Sequence, residues 1–306
     1  MMNRATMTGP TARQRRLRSF MFVPGNRQRF VDKAFELDLD AVLFDLEDGV
    51  PPPEKAGARL LVRSALSRPP GGPLRAVRVN AADTPWYAED LDAVLVPGVA
   101  AICLPKVSDP APVLALARRL AEFEAAEGMA EGLVGIIAAI ESARGLIAAP
   151  QVAASHSRVL ALMFGAEDFA LDLGLGTSRE GEARDLSYAR SSIVVACAAA
   201  HIGSIDGVYP VLHDTEGMLA DALLARRLGF TAKSTFHPSQ VAEINRIFSP
   251  SPDELDYARR VVAAFEQAQA RGDGSVAVGG QLVDLPIVAR AQRMLAQEDP
   301  TERSAT

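Results

Sequence analysis

The chain is predicted to be an α/β protein whose eight parallel strands close into a (β/α)8 barrel, and three observations lead there. Eight short, almost wholly apolar runs recur along the sequence, as strands buried on both faces do. Between them lie stretches with apolar residues at i, i+3 and i+4, the pattern of helices packed along one face. Roughly 230 residues hold all eight units, close to what such a barrel needs. An open doubly wound sheet usually has fewer strands and a glycine-rich loop after its first strand. The lone G-x-G, Gly174 to Gly176, follows an acidic loop instead.

In order, the strands are expected at 19–23, 41–46, 76–80, 101–104, 134–140, 159–164, 203–209 and 230–236. Helices are expected at 28–37, 55–66, 90–96, 186–200, 216–228 and 238–248. Another starts from Asp109 as cap with Pro110 in the first turn and runs through Phe123. The connection 143–154 is the weakest helix, because Pro150 removes a hydrogen bond from its interior. Gly229 to Thr235 ends like a phosphate loop but has Ala232 and Arg227 where glycines are needed, so it offers no cradle. Beyond the barrel come a helix at 252–270 capped by Ser251 or Asp253, a flexible glycine-rich linker at 272–280, and a striped helix at 285–295. The expected division is a disordered tail at 1–17, a barrel domain at 18–250, and an extension at 251–306. That extension either covers the barrel mouth or contributes to a neighbouring subunit's site.

A hydrophobic content of 48% over 306 residues supports a large core. A net charge of −6 gives no electrostatic reason for a nucleic-acid partner, and Arg13 to Arg18 belong to the tail. No apolar run reaches the ~18 residues of a membrane span, and no signal-peptide core is present. Cys103 and Cys197 lie in apolar surroundings, as buried thiols of a reducing, cytoplasmic compartment do. No zinc spacing occurs. Lysine is rare: of 32 basic residues only Lys33, Lys55, Lys106 and Lys233 are lysines.

Two apolar runs end in carboxylates: the one before Glu141, and the one before Glu167 and Asp168. An unpaired charge is too costly for a core, so Glu141 and Asp168 are candidate ligands of a divalent metal, with Mg²⁺ suited to two protein carboxylates plus water and substrate. The plain alternatives are an ion pair of Glu141 with Arg144 and a capping role for Asp168. Other polar residues at expected strand ends are Asp45, Glu47, Asp48, Arg78, Asn80, Lys106 and His237, which a barrel brings to one mouth. Arg78 suits a carboxylate or an enolate oxygen, or equally a salt bridge to Asp45, Glu47 and Asp48. Arg29 and Lys33 share a helix face, with Lys55 farther along; three cations suit a polyphosphate, or are simply solvated charge.

Phe22-Val-Pro-Gly-Asn26, Asp45-Leu-Glu-Asp-Gly-Val50, Lys55 with Ala58-Arg59, Arg78-Val-Asn80, Leu104-Pro-Lys106, Ile140-Glu-Ser142, Gly165-Ala-Glu-Asp-Phe169, Phe236-His-Pro238 and Phe248-Ser-Pro250 resemble, in this order, the citrate lyase β-subunit-like family of the HpcH/HpaI aldolase superfamily. The resemblance spans residues 16 to about 296. It implies a TIM barrel, Mg²⁺, and carbon–carbon cleavage of a 3-hydroxyacyl thioester of malyl-CoA or citramalyl-CoA type to acetyl-CoA and a 2-oxo acid. It places Glu141 and Asp168 on the metal, Arg78 on substrate and catalysis, and Phe22, Gly165, Ala166 and Glu167 around the substrate. Arg29, Lys33 and Lys55 fall on coenzyme A positions. Gln281-Leu-Val-Asp-Leu-Pro286 resembles a C-terminal motif whose aspartate, here Asp284, protonates the enolate in an adjacent protomer; its bland alternative is a helix cap. A homo-oligomer, trimer or hexamer, is implied, with an acyl-CoA as the small-molecule partner. Ala232-Lys233 departs from the family's Gly-Lys. Cleavage of an acyl-carrier-protein-bound citryl group, malyl-CoA hydrolysis, and aldol cleavage of free hydroxy-diacids are the alternatives.

Overall fold

The computed structural model describes residues 16–176 and 184–298, so most of the tail expected at 1–17 lies outside the described residues. The chain forms two compact units, Met1–Ile244 and Asn245–Thr306.

In the first unit β1 (Ser19–Pro24), α1 (Gln28–Ala34), β2 (Ala41–Asp45), α2 (Lys55–Leu66), β3 (Leu74–Arg78), α3 (Tyr87–Val94), β4 (Ala101–Leu104) and α4 (Ala111–Ala126) make four strand–helix units. The pattern continues with β5 (Gly135–Ile140), α5 (Ala143–Ala154), β6 (Val159–Phe164), α6 (Ala166–Asp172), α7 (Ser187–Ala200), β7 (Gly203–Asp206), α8 (Thr215–Leu228) and β8 (Ala232–Thr235). The strands are parallel and close in sequence order, β8 pairing back onto β1. This is the predicted (β/α)8 barrel. Its third strand starts two residues earlier than expected, and the seventh and eighth are shorter.

Alternate strand residues point inward. Phe20, Ala41, Leu43, Leu74, Ala76, Ala101, Cys103, Ile137, Ala139, Ala161, Met163, Ile205 and Ala232 pack there as one buried cluster. The same alternation, carried one step toward the C-terminal ends, reaches Phe22, Asp45, Arg78, Glu141 and Gly165. The chemistry-bearing residues are therefore the top layer of the barrel's own interior.

Segment 143–154 is a regular helix in spite of Pro150. Ser142 caps it by accepting from the Gly145 N–H, a contact worth about 1 kcal/mol. Pro150 is exposed, while Ala149, Val152 and Ala153 form the buried face, so the missing bond falls on the solvent side. Gly229 turns out to end α8 in the left-handed conformation, which accounts for the loop that only resembles a phosphate cradle.

The chain crosses from one unit to the next within α9 (Val241–Ile247). The second unit contains α10 (Pro252–Ala270), β9 (Val276–Val278), β10 (Gln281–Val283) and α11 (Leu285–Leu295). Ser251 and Glu254 form a reciprocal capping box at the start of α10. The expected flexible linker is instead an antiparallel hairpin. Gly279 and Gly280, both at positive φ, make the two-residue turn that matches strand twist. Val278 and Val283 bury against Ala258, Val261, Phe265, Val288 and Ala291. No described helix is long and apolar enough to cross a membrane.

Candidate active site

The barrel mouth opens into a cavity of about 1270 Å³ lined among others by Phe22, Arg29, Lys33, Asp45, Arg78, Glu141, Gly165, Glu167 and Asp168. Register explains its central ion pair. Asp45 and Arg78 stand opposite each other on β2 and β3, and both face inward. Arg78 Nε donates to Asp45 Oδ1 and Nη2 to Oδ2, each at 2.8 Å. Asp45 also accepts from the Glu47 and Gly49 N–H groups. Only glycine fits at 49, where a Cβ would stand 2.4 Å from Asp45 Oδ2. Burial alone would push the Asp45 carboxyl up, but the Arg78 charge and these bonds hold it below the ordinary aspartate range.

Glu47 is 4% exposed and lies 3.1 Å from Arg78 Nη1 and 2.9 Å from Lys106 Nζ. These are contacts of charge with charge; neither Glu47 oxygen receives a well-aligned hydrogen bond. Burial raises its carboxyl above the usual range despite both cations. Arg78 also lies over the Phe22 ring, 4.8 Å from its centre. The salt-bridge reading of Arg78 is thus realised, yet the side chain still lines the cavity.

Glu141 follows β5 directly and is 6% exposed. Its Oε2 accepts from the Lys106 backbone N–H at 3.0 Å, and its Oε1 accepts no hydrogen bond from the described protein. Burial, then the negative charges of Glu47 and Asp168, push its carboxyl up to about 7, with Arg78 opposing. It makes no pair with Arg144, and Asp168 caps nothing: Gly165 precedes α6 without a side-chain cap. Neither plain alternative holds.

Among the described residues no three or more His, Cys, Asp or Glu side chains are grouped to hold a metal by themselves. Five carboxylates gather here: Asp45, Glu47 and Asp48 share the cations of Arg78 and Lys106, while Glu141 and Asp168 have no ion-pair partner among the described residues. The negative excess, with a buried carboxylate driven to about 7, fits a hard divalent cation completed by water and substrate.

The sequence brings most of its candidates to this cavity. Arg29, which has no ion-pair partner among the described residues, and Lys33, paired with Glu36 at 2.8 Å, line its rim. Ala166 and His237 line it too. Lys55 does not join them. It is 4% exposed, and its ammonium donates to Leu46 O, Glu47 O and Asn80 Oδ1 at 2.7–3.0 Å, which uses all three donors. Lys55 therefore holds the β2 loop in place and is absent from the cavity wall that Arg29 and Lys33 share. Asp284 belongs to the second unit and accepts from the Ile287 N–H at 3.4 Å, as the cap of α11. Residues the sequence reading missed include Met163, Val208 and Phe236 on the cavity wall; inward alternation from β6 was the available signal for Met163.

Residues 18–238 match the family model described as HpcH/HpaI aldolase/citrate lyase. The chain belongs to this family. It is 38% identical to the citrate lyase subunit beta of Leuconostoc mesenteroides subsp. cremoris, over 92% of this chain and 93% of that one. It is 36% identical to a (3S)-malyl-CoA thioesterase of Cereibacter sphaeroides, over 92% and 94%. The crystal structure of the protein CitE of Mycobacterium tuberculosis with magnesium, acetoacetate and coenzyme A superposes with a TM-score of 0.75, at 31% identity over 92% of this chain and 97% of that one. As an HpcH/HpaI member the chain is an enzyme of the oxo-acid lyase kind.

Proposed function

We propose that this chain is a Mg²⁺-dependent carbon–carbon lyase that splits a 3-hydroxyacyl-CoA of malyl-CoA or citramalyl-CoA type into acetyl-CoA and a 2-oxo acid. The observation that carries the reading is Glu141: a buried carboxylate driven to about 7, facing one cavity with Asp168 and Arg78. Glu141 and Asp168 would hold the metal. When bound, Mg²⁺ supplies Lewis-acid charge to the oxygens of the 2-oxo acid portion.

In cleavage the hydroxyl proton is lost to solvent at the open mouth, its carbon becomes the carbonyl of the 2-oxo acid, and the electron pair of the broken bond passes to the acetyl thioester as an enolate. Arg78, fixed by Asp45, has donors left over to meet the oxygen charge that develops, a contribution typically worth ~2.7–4 kcal/mol. Asp284 would protonate the enolate carbon, acting across a trimer or hexamer in a neighbouring protomer. Arg29 and Lys33 would pair with the phosphates of coenzyme A. We assign the enzyme to the reducing cytoplasm, where its free Cys103 and Cys197 are stable.

The likeness to a (3S)-malyl-CoA thioesterase favours a second reading, hydrolysis of the thioester at the same site. Incubation with Mg²⁺ and a panel of malyl-, citramalyl- and citryl-CoA, with products identified by mass, separates the two. A lyase yields acetyl-CoA and a 2-oxo acid; a thioesterase yields free coenzyme A with the hydroxy acid intact. Formation of neither product from any member of the panel overturns both.

A further inference from the structure

Two residues outside the ligand pair constrain Glu141, and they do so through backbone, not side chain. Lys106 has φ 54°, in the left-handed region that residues other than glycine, Asn and Asp seldom adopt. The other described non-glycine residue at positive φ, His201, ends α7, where that conformation is ordinary. Lys106 ends no helix. It follows β4, and Val107 N–H returns at once to Ala139 O at 3.0 Å, so the turn is fastened to β5. Left-handed geometry at 106 aims its N–H at Glu141 Oε2, while its side chain runs to Glu47 Oε1 at 2.9 Å.

The opposite wall is Gly165. Its N–H donates to Ile140 O at 3.0 Å, which extends the β5–β6 register by one residue and sets Gly165 beside Glu141. A Cβ built there would stand 2.3 Å from Glu141 Cγ and 2.8 Å from Oε1. Its φ of −89° is ordinary for any residue. Glycine is therefore needed for space and not for conformation.

We infer that Lys106 and Gly165 are positioning residues that set the Glu141 rotamer before any cation arrives, one by donating to Oε2 and the other by leaving room for the side chain, so that Oε1 alone is presented to the metal. This rests on the reading of Glu141 as a metal ligand. Preorganisation of this kind should appear in metal affinity itself, before any turnover.

The experiment is calorimetric titration of MgCl2 into the purified chain and five variants, each with a thermal melt. Gly165→Ala should weaken Mg²⁺ binding about tenfold or more, in the range that loss of support around a ligand usually costs, with a melting temperature at or near that of the parent chain. Lys106→Gly and Lys106→Val both lack the ammonium, so their difference reports backbone alone. Glycine keeps the left-handed turn and valine resists it, so the valine variant should bind several-fold more weakly than the glycine variant. Lys106→Asn, which tolerates the turn, should follow glycine and replaces the valine comparison, against Lys106→Ala, if valine does not fold. Equal affinities in the two Lys106 arms together with unchanged affinity in Gly165→Ala overturn the inference while leaving the metal reading intact. Failure of the parent chain to bind Mg²⁺ overturns both.

Discussion

Two clusters of charge sit on this barrel, one residue apart in the alternation of its strands, and they behave in opposite ways. At the mouth, inward-facing Asp45, Arg78 and Glu141 join Glu47, Asp48, Asp168 and Lys106. On β7 and β8 the register pairs Ile205 with Ala232, which face inward, and then Asp206 with Lys233, which face outward toward the helices. There Lys233 Nζ donates to Asp206 Oδ2 at 2.7 Å, to Gly207 O and to Asp221 Oδ2. Arg190 of α7 grips Asp206 with two donors and Asp221 with a third. Both carboxylates are met by buried cations, Lys233 at 1% exposed and Arg190 at 2%. The mouth has the reverse: an excess of acid and a wall open to solvent. A sealed cluster whose carboxylates are met by buried cations has no use for a ligand, whereas an open one with more acids than cations suits a cation. Lys233 of the Ala232-Lys233 pair, which departs from the family's Gly-Lys, belongs to the sealed kind.

The largest way to break the contrast is Glu141→Ala. It should abolish both calorimetric Mg²⁺ binding and turnover, and retention of either would remove the site's chemical basis. Next is Lys233→Met, which takes from Asp206 and Asp221 the ammonium they share. It should cost about 3–5 kcal/mol in chemical denaturation, as removing one member of a buried ion network does. Mg²⁺ affinity of the folded fraction should not change, and Lys233→Met with Asp221→Leu should regain part of the stability.

The pH dependence sharpens the comparison further. Glu141, raised to about 7 in the folded chain against an ordinary 4.5, is protonated when folded and ionised when unfolded between those values. The unfolded state then binds fewer protons, so metal-free stability should fall as pH rises through that window, by at most about 3 kcal/mol. Denaturation from pH 5 to 8 should show this slope in the parent chain and a flatter one in Glu141→Gln, and saturating Mg²⁺ should offset it. Parallel curves for the two proteins would show that Glu141 is already ionised. The smallest effect belongs to the rim. Arg29→Ala and Lys33→Ala should each raise KM for the acyl-CoA a few-fold, with kcat little changed and the difference shrinking at high salt. A salt-independent change would separate these cations from phosphate recognition.

Two of the four lysines illustrate how far residue choice was readable. In a chain that uses arginine as its default cation, Lys55 and Lys233 each have three close acceptors below the surface, a compact ammonium fitting where a planar guanidinium would not. Their rarity marked them as unusual, but it could not say for what. Lys55 reads as a solvent cation near a loop until the fold closes Leu46, Glu47 and Asn80 around it. The segment at 272–280 is a similar case: its glycines read as a linker, and the valines that bury it as a hairpin find their partners only on α10 and α11.

The sequence by itself determined the barrel, its order, and the placement of acids at the ends of apolar strands, because strand and helix periods are local and a charge ending such a run has few explanations. Tertiary structure decided what each charge became. Whether a residue faces the cavity or the helices depends on a period of two that must be kept in register around a closed sheet. Which cation meets which carboxylate is settled by the fold, as with Asp45 and Arg78, 33 residues apart. The room Glu141 needs beside Gly165, and the turn at Lys106 that aims a backbone N–H at it, come from strands closing side by side, and no spacing along the chain encodes them.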